Sequence, residues 1–151
     1  MKLMFSKKLY PPALFLMGAT NTGKSDFAMS LYDNLPVELI SVDSTLVYRD
    51  MNIGTAKPSA TQLKKYPHRL INICDPADPY SVQHFIEDAT KAMKEIFHLG
   101  KIPLLVGGTM LYFRSLEKGL SKLPSIEKKV RRPGTEGVEE TVAITARLSS
   151  T

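Results

Sequence analysis

Short apolar runs alternate with stretches of helical periodicity along most of this chain. Four runs are short enough and apolar enough to be buried strands, and they are residues 13–17, 37–42, 69–73 and 102–106. Apolar residues recur every three or four positions over 25–35, 82–99 and 110–116, which predicts amphipathic helices. Strands that alternate with helices are typical of α/β proteins with a parallel sheet. We therefore predict an α/β fold, a parallel sheet flanked by helices.

The two ends of the chain lack this pattern. Residues 1–12 carry several lysines and lead directly into the first strand, so we predict an N-terminal arm whose first ten residues are loose. From about residue 128 the composition changes: Arg-Arg-Pro-Gly at 131–134 breaks any regular element, and 135–151 has no strong periodicity. We expect a core over 13–127 and a divergent, disordered tail over 128–151.

Composition narrows the class of protein only moderately. A chain of 151 residues fits one domain, and no apolar stretch approaches the ~20 residues of a membrane span. The single cysteine, Cys74, excludes an internal disulfide and a cysteine-based zinc site. We expect a cytoplasmic protein in a reducing compartment. The net charge of +5 favours a polyanionic partner such as nucleic acid, although many basic proteins bind none.

The strongest motif lies between the first strand and the first helix. It is a complete G-x-x-x-x-G-K-S phosphate-binding loop, formed by Gly18, Ala19, Thr20, Asn21, Thr22, Gly23, Lys24 and Ser25. The glycines let the loop's N–H groups wrap a phosphate chain, and the following helix points its positive end at the same anion. Lys24 adds a cation, and the Ser25 hydroxyl can ligate Mg²⁺. We predict a di- or triphosphate site; the alternative is a glycine-rich turn without a ligand.

Two further segments follow strands whose carboxyl ends should share one edge of the sheet, where open α/β sheets bind ligands. Asp43 follows the second predicted strand and can act as a general base or ligate Mg²⁺ through water. The alternative is an aspartate that stabilises a turn or caps a helix. Gly107 and Gly108, followed by Thr109, let the backbone approach a ligand and add a hydroxyl; an ordinary Gly-Gly turn is equally compatible. No histidine has ligand spacing to another histidine or cysteine.

Five segments in order carry a resemblance to a known family. They read Gly-Ala-Thr-Asn-Thr-Gly-Lys-Ser (18–25), Val-Glu-Leu-Ile-Ser-Val-Asp-Ser-Thr-Leu-Val-Tyr-Arg (37–49), Met-Asn-Ile-Gly-Thr-Ala-Lys-Pro (51–58), Pro-His-Arg-Leu (67–70) and Pro-Leu-Leu-Val-Gly-Gly-Thr-Met-Leu-Tyr-Phe (103–113). The chain resembles bacterial tRNA dimethylallyltransferases, which modify adenosine 37 beside the anticodon. The resemblance runs from about residue 14 to 131.

The resemblance implies a mechanism. Dimethylallyl diphosphate would occupy the loop, held by the loop N–H groups, Lys24 and a Mg²⁺ on Ser25. A flipped adenine would present its N6 amine, with Asp43 as the base and Thr109 hydrogen-bonded to the bridging oxygen of the leaving diphosphate. The positions that would contact tRNA are Asp43, Ser44, Thr45, Leu46, Thr109 and Arg131. Family members are usually monomers.

The chain also departs from the family pattern. Many members carry Gln at the position of Leu46, although Leu also occurs. The sequences of family members continue well past the position of residue 131. In this chain the residues after 131 resemble nothing in the family. A frameshift or a premature end would produce this pattern. The sheet would then lack partner strands and leave an apolar edge unpaired. We expect this chain to be poorly stable and to have little transferase activity.

Three other functions fit part of the sequence. A phosphate-loop kinase of small molecules would bind ATP more tightly than dimethylallyl diphosphate, and would need an arginine-rich lid. An adenylate isopentenyltransferase would prefer AMP to tRNA as acceptor. A non-catalytic fragment would keep nucleic-acid binding after Lys24→Ala.

Overall fold

The hydrophobic pattern produces a five-stranded sheet with helices on both faces. The computed structural model describes residues 2–6, 13–19, 23–50, 57–120, 129–130 and 142–143. The strands are β1 (Lys2–Ser6), β2 (Ala13–Met17), β3 (Val37–Val42), β4 (His68–Arg69), β5 (Ile102–Gly107), β6 (Lys129–Val130) and β7 (Val142–Ala143). The helices are α1 (Lys24–Asn34), α2 (Ala60–Lys65), α3 (Val82–His98) and α4 (Met110–Leu120).

The strand order of the main sheet is β1-β2-β5-β3-β4. β2, β5, β3 and β4 run parallel, which confirms the predicted parallel α/β sheet. β5 lies between β2 and β3, so the segments after these three strands emerge side by side at one edge. This placement brings the phosphate loop, Asp43 and the Gly-Gly-Thr segment together.

The N-terminal segment is more ordered than predicted. Lys2–Ser6 forms β1 and pairs antiparallel with β2, from Lys2 opposite Met17 to Ser6 opposite Ala13. The prediction of a loose arm is therefore wrong for these residues. An open strand edge offers unpaired N–H and C=O groups, and a neighbouring segment gains hydrogen bonds there even without a marked apolar pattern.

Alternate residues of the central strands pack on opposite faces of the sheet. On one face, Phe15, Ile40 and Leu105 pack with α3 and α4. On the other, Leu16, Leu39 and Leu104 pack with α1. Burial on both faces is typical of parallel sheets and explains why their strands read as continuous apolar runs.

Two short elements differ from the sequence prediction. The predicted strand over 69–73 is only His68–Arg69, because Leu70 and Asn72 adopt positive φ angles of 65° and 57° and turn the chain away. α2 was not predicted, although Ser59 and Gln62 form a capping box at its start.

The described parts of the tail form one small ladder, in which Lys129–Val130 pairs antiparallel with Val142–Ala143. These four residues depart from the predicted disorder, and the rest of 128–151 lies outside the described residues. Among the helices that the structure describes, none is both long and apolar enough to cross a membrane.

Candidate active site

The phosphate loop joins the carboxyl end of β2 to the start of α1. Gly18 N–H donates a hydrogen bond to the Gly107 carbonyl at 3.2 Å, which fixes the start of the loop against β5. Gly23 occupies the N-cap position of α1 with φ 75°, a left-handed conformation that favours glycine. Because Gly23 has no side chain to cap the helix, the N–H groups of its first turn can serve an anion. Thr20, Asn21 and Thr22 lie outside the described residues.

The Lys24 side chain contacts the first residue of this loop. Its ammonium donates a hydrogen bond to the Gly18 carbonyl at 2.7 Å. Partial burial lowers the pKa of Lys24, while the negative charge of Asp43 opposes that shift. A partly desolvated cation of this kind interacts more strongly with an incoming phosphate than a fully hydrated surface lysine would.

Asp43 organises the turn that follows β3. Its Oδ1 accepts hydrogen bonds from Thr45 N–H at 2.8 Å, from the Thr45 hydroxyl at 2.7 Å and from Leu46 N–H at 3.2 Å. Asp43 therefore stabilises this turn, which is the alternative role considered for it from the sequence. The hydrogen bonds from described residues all go to Oδ1, and Oδ2 accepts none from them.

The Gly-Gly-Thr segment is packed tightly against its neighbours. A Cβ on Gly107 would lie 1.9 Å from the Val42 carbonyl oxygen, and one on Gly108 would lie 3.1 Å from the Gly18 carbonyl oxygen. A side chain at Gly107 would therefore clash with the backbone of β3, and one at Gly108 would be tight against the phosphate loop. These contacts are within the protein and leave open both the ligand-binding role and the ordinary Gly-Gly turn. Thr109 N–H donates to the Val42 carbonyl at 3.3 Å.

The Thr109 side chain ties the end of β5 to the turn after β3. Its Oγ1 accepts a hydrogen bond from Ser44 N–H at 3.0 Å and lies 3.5 Å from the Ser44 hydroxyl. Ser44 is exposed beside Asp43. The segments that carry the two predicted catalytic residues are therefore joined by hydrogen bonds of both the backbone and the side chain of Thr109.

Replacing Thr109 by valine, which keeps the shape and removes the hydroxyl, should lower the free energy of unfolding by about 1 kcal/mol because the Ser44 N–H loses its acceptor. Urea unfolding followed by circular dichroism measures this change. Thr61→Val, on the exposed surface of α2, is the matched control and should change stability by less than about 0.5 kcal/mol. Equal effects of the two substitutions would contradict a bracing role for Thr109.

A cavity of about 280 Å³ opens at these loops. Its polar lining includes the side chains of Lys24, Ser25, Asp26, Asp43 and His68. Its lining also includes the apolar side chains of Leu46, Pro58 and Ile71, which are called the apolar wall below. The cavity therefore combines groups that can bind an anion with groups that suit a hydrocarbon.

The apolar wall is held by contacts that the sequence alone did not indicate. The Lys57 ammonium donates to the Tyr48 carbonyl at 3.0 Å and to the Asn72 side-chain oxygen at 2.6 Å. Arg49 Nε donates to the Asn72 carbonyl at 3.2 Å. Lys57 lies within one of the segments that carry the resemblance, but nothing in the spacing showed that it would connect residues on either side of the cavity.

The polar lining also suits a magnesium ion bound together with phosphate. Among the described residues, no group of three or more His, Cys, Asp or Glu side chains could hold a metal by itself. Ser25, Asp26 and Asp43 nevertheless line one cavity. Mg²⁺ typically takes one or two protein oxygens and completes its shell with water and substrate phosphate, so this donor set fits that ion.

Most of the predicted site residues meet at this edge of the sheet. The predicted residues that line the cavity include Ala19, Gly23, Lys24, Ser25 and Asp43. Gly18 and Thr109 are hydrogen-bonded to the ends of β5 and β3 beside it. Leu46, expected among the tRNA contacts, is only 8% exposed and lines the cavity, whereas Ser44 and Thr45 are exposed. Arg131 lies outside the described residues.

Comparison with known proteins agrees with this geometry. The family model described as IPP transferase matches residues 46–150. The chain belongs to the IPP transferase family. A second family model, described as isopentenyl transferase, matches residues 12–75 and includes the phosphate loop.

Individual relatives of the IPP transferase family resemble the chain over most of its length. A tRNA dimethylallyltransferase of Alkalilimnicola ehrlichii is 61% identical over 122 residues, 81% of this chain and 38% of the relative. The crystal structure of the full-length tRNA isopentenylpyrophosphate transferase from Bacillus halodurans matches with a TM-score of 0.66 and 38% identity, covering 76% of this chain and 38% of that one. A eukaryotic dimethylallyltransferase described as acting on tRNA matches with a TM-score of 0.64 and 33% identity, covering 74% and 27%.

The chain thus spans about 38% of the length of the curated relative it matches. The IPP transferase match extends to residue 150, beyond residue 131, the expected end of the sequence resemblance.

Proposed function

We propose that this chain carries the diphosphate-binding and base-bearing part of a tRNA dimethylallyltransferase, which transfers a dimethylallyl group from dimethylallyl diphosphate to N6 of adenosine 37. The observation that carries the proposal is a single cavity whose lining combines Lys24, the start of α1 and Asp43 with the apolar side chains of Leu46, Pro58 and Ile71. Membership of the IPP transferase family supports the same reaction class.

Dimethylallyl diphosphate combines an anionic diphosphate with an apolar tail, as the cavity lining combines polar and apolar side chains. Its diphosphate would lie against the N–H groups at the start of α1 and the Lys24 ammonium. Its branched five-carbon tail would lie along Leu46, Pro58 and Ile71. A nucleoside triphosphate would use the first of these surfaces and gain little from the second, which favours the allylic diphosphate over ATP as the ligand.

The proposed reaction uses Asp43 and Thr109 as its two catalytic residues. The adenine N6 attacks the allylic carbon, the carbon–oxygen bond to the diphosphate breaks, and pyrophosphate leaves with the bonding electrons. Asp43 accepts the proton that N6 loses, as a general base. The Thr109 oxygen accepts a hydrogen bond from Ser44 N–H, and its proton is donated to Ser44 Oγ over a long 3.5 Å contact. In the proposed reaction this proton turns to the bridging oxygen as negative charge develops there.

The cofactor in this proposal is Mg²⁺. Ser25 would hold it together with the substrate diphosphate, with Asp26 and Asp43 in reach of its water ligands. When bound, the ion neutralises charge on the departing pyrophosphate. Lys24 and the start of α1 provide the fixed positive charge on the protein side.

The tRNA would approach from the exposed side of the Asp43 turn. Ser44 and Thr45 are exposed there, and the adenosine would be flipped out of its stack to reach Asp43. Thr109 and Arg131 are the further proposed tRNA contacts. The proposal includes a cytoplasmic monomer, as expected from the sequence.

Single-turnover transfer tests this function, with the protein in excess over tRNA, Mg²⁺ present and the allylic group of dimethylallyl diphosphate labelled. We expect slow transfer of label to a tRNA adenosine, consistent with the low activity expected from the sequence. Lys24→Ala should reduce this rate roughly 100- to 1,000-fold because fixed positive charge at the leaving group is lost. Lys91→Ala, an exposed lysine of α3, is the matched control and should transfer at the wild-type rate. Transfer that is insensitive to Lys24→Ala, or that prefers AMP to tRNA, would contradict the proposal.

A further inference from the structure

Ser41 is a buried polar residue to which neither the fold nor the proposed reaction assigns a role. Ser41 is 2% exposed. Apart from tyrosines, it is the one buried residue with a polar side chain in the part of the chain that the structure describes. No described residue forms a hydrogen bond with its hydroxyl. A buried hydroxyl without a partner destabilises a protein relative to an alanine of the same backbone. Because no described residue pairs with Ser41, we look for its partner in the cavity that it lines.

The direction of the Ser41 side chain is set by the alternation of β3. Val37 and Leu39, which share its parity, pack on the face of the sheet covered by α1. Ser41 is opposite Val106 in the parallel pairing with β5, and both residues line the cavity. Ser41 therefore faces the cavity from its floor, one residue before β3 ends.

The charges that line the cavity indicate the chemistry of the missing partner. Lys24 and the first turn of α1 create positive potential there, which favours an anion. The carboxylates of Asp26 and Asp43 line the same cavity, but neither is hydrogen-bonded to Ser41, and Asp43 Oδ1 is already used by its turn. The Ser41 hydroxyl can therefore donate a hydrogen bond to an anion bound in the cavity.

We propose that Ser41 is a further substrate-positioning residue, whose hydroxyl donates a hydrogen bond to the diphosphate of the bound substrate from the floor of the cavity. This inference rests on the proposed diphosphate site. It adds a contact from β3 to the contacts that the phosphate loop makes, so that the diphosphate is held from two strands of the sheet. Such a contact would fix the direction in which the allylic tail leaves the phosphate loop.

Calorimetric titration with inorganic pyrophosphate in the presence of Mg²⁺, on the full chain, tests the proposal. Ser41→Ala should weaken pyrophosphate affinity roughly tenfold, the loss of one hydrogen bond to a charged group. The thermal midpoint of the ligand-free Ser41→Ala protein should stay level or rise, because an unpartnered hydroxyl has been removed. Ser30→Ala, on the exposed side of α1, is the matched control and should leave the pyrophosphate affinity unchanged, while its higher helix propensity raises the midpoint slightly.

The outcomes separate this inference from the proposed function. Wild-type affinity in Ser41→Ala, together with a loss in Lys24→Ala, would overturn the role of Ser41 and leave the diphosphate site intact. A lower midpoint or failure to fold in Ser41→Ala would mean that the hydroxyl serves the free protein, and would also overturn the inference. Absence of pyrophosphate binding to the wild-type chain would remove both proposals.

Discussion

Gly107→Ala should destabilise this protein severely, by about 3 kcal/mol or more, although it adds only one methyl group. The added Cβ would lie 1.9 Å from the Val42 carbonyl oxygen and 2.4 Å from its carbonyl carbon. Both atoms belong to the backbone of β3, which pairs with β5 at this point. Because the clashing atoms are backbone atoms, no flexible side chain can move to relieve the clash. Neither strand can move either without breaking the sheet that holds the phosphate loop.

Urea unfolding measures the effect of Gly107→Ala, and Gly100→Ala is its matched control. Gly100 has φ 73° with nothing within 4 Å of a new Cβ, so alanine there should cost only the left-handed backbone strain of about 1–2 kcal/mol. A Gly107→Ala protein as stable as Gly100→Ala would contradict the close packing of β5 against Val42.

Asp43→Asn should reduce the rate of dimethylallyl transfer roughly 100- to 10,000-fold, the usual contribution of a general base. Asparagine keeps an oxygen that can accept the hydrogen bonds from Thr45 and Leu46, so the turn after β3 should persist. Pyrophosphate binding should also persist, because removing a carboxylate near Lys24 takes away an opposing charge. The measurement is single-turnover transfer to tRNA, combined with pyrophosphate titration of the same protein.

Asp43→Ala separates the two roles of this side chain. It removes both the base and the turn acceptor, so it should lose transfer activity as Asp43→Asn does and in addition lower the free energy of unfolding by about 1–2 kcal/mol. Equal stability of the two variants would mean that the turn hydrogen bonds contribute little. Transfer at the wild-type rate in Asp43→Asn would remove Asp43 from the mechanism.

The strands and helices that bury a continuous face were predictable from sequence. β2 and β3 match their predicted bounds, and α1 and α3 agree within one residue at each end. Their apolar runs and periodicity reflect burial, which dominates the local pattern. β1 and the short β4 were not predicted correctly because their form depends on an available sheet edge and on positive φ angles at Leu70 and Asn72, neither of which leaves an apolar pattern.

The candidate site was only partly predictable. The phosphate loop, Asp43 and Thr109 follow strands that meet at one edge, and topology alone brings them together. Ser41 is, with Glu38, one of two polar positions in the otherwise apolar β3. That its hydroxyl has no hydrogen-bond partner among the described residues emerges only from the packing. Leu46 faces the cavity rather than the exposed tRNA side because the turn held by Asp43 directs it inward.

The central claim is that the cavity holds an allylic diphosphate. Equilibrium dialysis of the full chain with labelled dimethylallyl diphosphate and Mg²⁺, in competition with unlabelled pyrophosphate and ATP, tests it most directly. The account predicts saturable binding that pyrophosphate displaces and that is tighter than the binding of ATP, because the apolar wall contacts only the allylic tail. Tighter binding of ATP than of dimethylallyl diphosphate would contradict the claim and favour a phosphate-loop kinase.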